Sequence, residues 1–138
     1  MAVFGIRRPA PEKCVLCIGS EKMIKYEDMP EDNEKLAKID IDFPHVPLAN
    51  IHSPEDLKSD LIEYLEIEDY APDGEIGFIR TAKVENTVYW IWKFISQGDE
   101  VYATVALDQN GNMTIGCDEN YYNLTPEQYI IGDYHNCF

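Results

Sequence analysis

No uninterrupted apolar run in these 138 residues approaches the ~20 needed to span a bilayer, and Met1 to Pro11 lacks the apolar core of a secretory signal. The expectation is a cytoplasmic protein with no membrane partner. Bases are scarce as well. Eleven Lys and Arg stand against 26 Asp and Glu, a net charge of -15. Duplex DNA, RNA and anionic lipid are polyanions that such a surface repels, so nucleic acid is not expected as a partner.

Cysteine, histidine and clustered glycine are also in short supply, and each shortage narrows the chemistry. Cys14-x-x-Cys17 has no second CxxC to complete a zinc ribbon, since nineteen residues separate Cys117 from Cys137. A thioredoxin-like pair sits at a strand-to-helix junction, whereas Cys14 and Cys17 lie in an apolar run that ends at Gly19-Ser20. The cysteines therefore read as reduced, buried thiols, and neither metal nor cofactor is expected. Gly74, Gly77 and Gly98 are isolated, so no phosphate-cradling loop exists. His45, His52 and His135 have no serine, cysteine or carboxylate at a spacing that marks a catalytic arrangement. His135 alone has several reactive neighbours, in Asp133-Tyr134-His135-Asn136-Cys137. An enzyme is the weaker reading.

What is present describes a globular domain. An apolar share of 45% and an aromatic share of 12% suffice for one core at this length, and a single α+β domain over 1–138 is expected. Lys13 to Ile18 reads as a short buried strand. Ile39, Ile41 and Phe43 alternate with Asp40 and Asp42, the period of a half-buried strand that Pro44 would end. Ser53-Pro54-Glu55-Asp56 places a hydroxyl at an N-cap, a proline where no donor is lost and acids at the positive end of the dipole. Leu57, Leu61, Tyr64 and Leu65 continue at helical spacing, so a helix is predicted to about Asp69, with Pro72 and Gly74 ending it. Thr125-Pro126-Glu127-Gln128 repeats the device for a helix of about two turns before Gly132.

Between these helices lie four β-rich segments, 76–84, 87–95, 100–108 and 112–117, separated by Glu85-Asn86, Gln97-Gly98-Asp99 and Asn110-Gly111. They predict an antiparallel meander of four or more strands. Asn110-Gly111 is the strongest turn signal, because both residues tolerate the positive φ of a type I′ turn. Asp108, Asn110 and Asn112 imitate calcium-loop spacing, but the glycine such a loop needs is replaced by Met113. Val88, Trp90, Trp92 and Phe94 share one face of the second strand. Packing that face on the 54–69 helix would give a two-layer sandwich.

Charge is unevenly distributed. Residues 54–75 hold nine acids and only Lys58, residues 27–34 hold five acids and no base, and from Phe94 onward there are seven acids and no base. Asp56, Asp60 and Glu63 stand at i, i+4 and i+7, a like-charged ridge opposite the leucines that costs roughly 0.2–0.5 kcal/mol per neighbouring pair. A solvated acidic face for solubility is one explanation. A surface that steers a basic protein partner is the other. Tyr121, Tyr122, Tyr129 and Tyr134 lie among polar residues near the C-terminus, a composition common at contact surfaces. The leading expectation is thus a binding domain of inhibitor or immunity type, using Asp56, Asp60, Glu63 and these tyrosines. The alternative is a small-molecule-binding or enzymatic pocket between the aromatic sheet face and the C-terminal segment, lined by Trp90, Trp92, Tyr134 and His135.

Overall fold

The computed structural model describes residues 3–4, 15–18, 22–25, 33–47 and 51–134. Its elements run β1 (Val3–Phe4), β2 (Val15–Ile18), β3 (Lys22–Lys25), α1 (Asn33–Leu36), α2 (Pro54–Ile67), β4 (Gly77–Val84), β5 (Thr87–Ser96), β6 (Asp99–Leu107), β7 (Met113–Glu119) and α3 (Pro126–Tyr134). The fold is α+β. Strands β4 to β7 form the antiparallel meander that period-2 alternation predicts, and β1 adds a short parallel strand outside β7. β2 and β3 pair separately as a hairpin.

Both predicted helix starts form as the sequence implies. The Ser53 hydroxyl accepts from the Asp56 amide at 3.3 Å, and the Asp56 carboxylate accepts from the Ser53 amide at 3.1 Å. Two of the three otherwise orphaned donors of α2 are thereby satisfied, Pro54 having no amide hydrogen to satisfy. Thr125 and Gln128 make the same reciprocal pair ahead of α3, at 3.2 and 2.9 Å. α2 stops earlier than Pro72 would require. Asp69 adopts φ 62°, its amide bonds the Glu66 carbonyl, and the Tyr70 amide bonds the Leu65 carbonyl. That is a Schellman ending, with an aspartate where glycine is usual.

The turns are distributed differently from the expectation. Gln97 (φ 52°) and Gly98 (φ 83°) supply the two successive positive φ values of a tight hairpin, whereas at Asn110-Gly111 only the glycine (φ 82°) is left-handed. The Asp108 carboxylate explains the difference. It accepts from the Asn110 and Asn112 amides, both at 2.9 Å, and holds 108–112 as a longer loop. Ile39, Ile41 and Phe43 do alternate inward, yet their segment joins no sheet. It runs beside β4 through a bond from the Lys83 amide to the Pro44 carbonyl and through the Thr81 hydroxyl, which bonds Val46.

Trp90, Trp92 and Phe94 are buried with Val101, Ala103, Val105 and Ile115 beneath Leu57, Leu61, Tyr64 and Leu65 of α2, with Val88 and Leu107 at the margin. This is the predicted register, in which Trp90 opposes Val105 and Trp92 opposes Ala103. The sheet's second face is equally closed. Tyr89, Ile91, Ala82, Val84 and Tyr102 pack against α1, α3, Ile41, Phe43 and Leu124, so helices flank the meander on both sides and three layers replace the expected two. Gln128 ties the parts of this second cover to each other, and Arg80 of β4 binds the cover to the sheet. The Gln128 amide donates to the Ala37 and Ile39 carbonyls, while the Arg80 guanidinium, largely buried, donates to Glu127 and to the Phe43 and Thr81 carbonyls. Among the described residues no helix is long and apolar enough to cross a membrane.

Candidate functional site

The sequence-predicted site residues fall into three places. Asp56 and Glu63 are exposed on α2, and Asp60 is half-buried beside them. Asp56 has a structural task too, as the N3 carboxylate of the capping box. Across 54–75, eight of the nine acids are exposed and Asp60 is intermediate. None of the nine forms an ion pair with a described residue. The recorded pairs lie elsewhere, joining Arg80 to Asp42 and Glu127, and Lys93 to Glu100.

One position on the ridge carries a different chemistry. Continuing the spacing of Asp56, Asp60 and Glu63 by one further turn reaches Ile67, which is 58% exposed, and Ile62 on the flank is 39% exposed. The helical periodicity that located the ridge also locates Ile67. Reading for charge alone passed over it.

The tyrosines divide. Tyr121 and Tyr122, 73% and 47% exposed, occupy the turn after β7. Tyr129 and Tyr134 are instead core residues, at 3% and 7% exposure. Tyr129 packs on Tyr102 with ring centroids 5.2 Å apart, and the Tyr134 hydroxyl donates to Glu85 at 2.6 Å. α3 is buried almost all round, over Gln128 to Gly132 and at Tyr134, while Glu127 pairs with Arg80 and Gln128 caps the helix, so the burial of the tyrosines follows from where α3 packs.

The aromatic pocket also needs correction. Trp90 is fully buried and its indole donates to the His52 carbonyl at 3.0 Å. Trp92 lies in the same core under α2, whereas Tyr134 belongs to the core on the opposite sheet face. The sheet separates them, so Trp90, Trp92 and Tyr134 line no common cavity. His135 lies outside the described residues. A polar cleft of about 210 Å³ is formed among the described residues at one end of the sheet by Glu85, Asn86, Thr87, Asp108, Gln109, Asn110 and Tyr134.

Cys117 is half-buried, and its thiol is pushed up to about 12 by burial, against a smaller opposing effect of hydrogen bonding from Tyr70. A thiol so held is protonated at neutral pH and a poor nucleophile. Burial likewise raises Tyr64, and takes Tyr70 and Tyr102 to about 12. Cys17 lies on β2, while Cys14 and Cys137 lie outside the described residues. Among the described residues no group of three or more His, Cys, Asp or Glu is placed to hold a metal.

Comparison with models of known families, with curated proteins and with solved structures returned no match.

Proposed function

We propose that this chain is a small cytoplasmic binding domain, of inhibitor or immunity type, that covers a basic protein partner with its carboxylates. The observation that carries the reading is the stretch 54–75, whose nine acids face or border solvent with no ion pair to a described residue. Opposed only by Lys58, they set up a one-sided field that reaches about a Debye length, ~8–10 Å, beyond the surface. Such a field accelerates encounter with a positive surface and repels negative ones. Where the partner itself binds nucleic acid, these carboxylates would stand in the place of phosphates.

The burial of Trp90, Trp92 and Leu61 in one apolar core beneath α2 supports a surface function over a pocket lined by these tryptophans. The reading is tested by affinity capture at low salt, identification of the captured protein, and association kinetics with the variant Asp60→Asn/Glu63→Gln. Both substitutions leave the capping box in place. The encounter rate should fall and lose part of its salt dependence, since exposed charges act mainly on association. Equal on-rates for wild type and variant at low salt would remove the ridge from the binding function.

A further inference from the structure

Most of the exposed large apolar side chains among the described residues lie at one end of the sheet, although they are scattered in sequence. Among the described residues seven large hydrophobics are exposed, and all but Ile62 belong to this end or to the edge strand beside it: Ile67, Phe78, Ile79, Ile95, Tyr121 and Tyr122. The topology brings them together. β5 ends, β6 begins and β7 ends at this side of the meander. The chain leaving α2 arrives there too, because Tyr70 meets Phe94 edge-on with centroids 6.2 Å apart and the Asp73 amide bonds the Ile95 carbonyl at 2.7 Å. At the opposite end, formed by Glu85-Asn86 and the 108–112 loop, no large hydrophobic is exposed among the described residues, and a polar cleft lies there.

Charge at the apolar end has one sign. Residues 66–79, 93–101 and 118–123 contain nine acids and the single base Lys93, which pairs with Glu100 at 3.6 Å. The turn that presents the two tyrosines is also preorganised. The Asn120 side chain donates to Glu100 at 2.8 Å and to the Leu124 carbonyl at 3.1 Å, and accepts from the Leu124 amide at 2.7 Å. Little conformational freedom is left there to lose on binding.

We propose that this end of the sheet is the docking face, and that its occupant is a basic protein surface carrying apolar side chains between its Lys and Arg residues. The proposal rests on the basic-partner reading above and adds where contact occurs and what holds it. From β7 across to β4 the patch spans three strand spacings, about 14 Å, which fits within the roughly 28 Å width of the ~800 Å² that one partner contributes to a standard interface. Exposed amphipathic tyrosines and aliphatic side chains at one end of the sheet, in segments rich in acids, supply the kinds of anchor and charge found at interfaces where a few residues dominate affinity. A second copy of this chain fits poorly, because it would bring two sets of nine acids together.

The test is amide-shift mapping by NMR with two probes, an arginine homopolymer and a peptide alternating arginine with leucine. The alternating peptide should shift amides in 66–70, 94–100 and 118–123, and stay bound at salt that releases the homopolymer. Tyr121→Ser/Tyr122→Ser should weaken the alternating peptide by roughly tenfold or more, and Asp60→Asn/Glu63→Gln by about twofold or less. Shifts centred on 55–63 or on the 85–87 cleft, or equal salt sensitivity of the two peptides, would overturn the docking face and leave the basic-partner reading standing. No binding of either peptide at low salt would remove both. A dimer in sedimentation equilibrium that the tyrosine variant dissociates would assign the face to a second copy and overturn the proposal.

Discussion

Neutralising the α2 ridge separates two effects of a carboxylate that the sequence alone joins. Asp60 and Glu63 lie within the helix, where they repel each other at i, i+3. Asp60 also repels Asp56 at i, i+4, and Glu63 repels Glu66 at i, i+3. Asp60→Asn/Glu63→Gln relieves these three pairs, each worth roughly 0.2–0.5 kcal/mol, so a gain of about 0.6–1.5 kcal/mol is expected, equivalent to a few degrees in Tm. Asp56→Asn relieves only its pair with Asp60. It also withdraws a negative charge from the first turn, worth about 0.3–1 kcal/mol, and weakens the bond from the Ser53 amide. Loss outweighs gain, and the single variant should be less stable than wild type by a few tenths to about 1 kcal/mol. Urea denaturation at low and high salt measures both. The gain in the double variant should shrink with salt as repulsion is screened. If Asp56→Asn stabilises as much as the double variant does, the carboxylate has no capping value and the assignment of its role fails.

Three further outcomes follow from the packing. Trp92→Ala empties the core between α2 and the sheet and should cost roughly 3–5 kcal/mol in chemical denaturation. Asp69→Gly should stabilise by up to about 1 kcal/mol, because glycine adopts φ 62° freely and an acid at a helix C-terminus opposes the dipole; an unchanged or lower Tm would refute this. The folded thiol of Cys117 and the hydroxyls of Tyr70 and Tyr102 ionise near 12, above their ordinary values of 9 and 10, so the folded state retains protons that the unfolded chain releases. Their contribution is fully present below about pH 9 and is lost as pH rises towards 12, so stability should fall across that window, and native Cys117 should resist alkylation at neutral pH until the chain is unfolded.

The local parts of this fold are written in local sequence. Ser53 and Thr125 start helices because a hydroxyl and a carboxylate or amide three residues later satisfy each other's backbone amides, a bond that needs nothing distant. The strand period places Val88, Trp90, Trp92 and Phe94 on one face, since neighbouring side chains alternate whatever the strand packs against. Leu57, Leu61, Tyr64 and Leu65 find the matching stripe by the helical period, and segregation of the acids is a plain count. Other features depend on contacts between segments far apart in the chain. Tyr129 and Tyr134 look like surface residues by composition, and become core because α3 lies on the sheet's second face, tied to β4 by Glu127 with Arg80 and to the α1 segment by Gln128 with Ala37 and Ile39. The same cover makes three layers of two. Trp90 and Tyr134 are separated by the sheet between them, which no periodicity in one strand can report. Ile67, Ile95 and Tyr121 gather at one end because α2, β5 and β7 all finish there, so their common location follows from strand order and helix direction, which only the packed tertiary structure specifies.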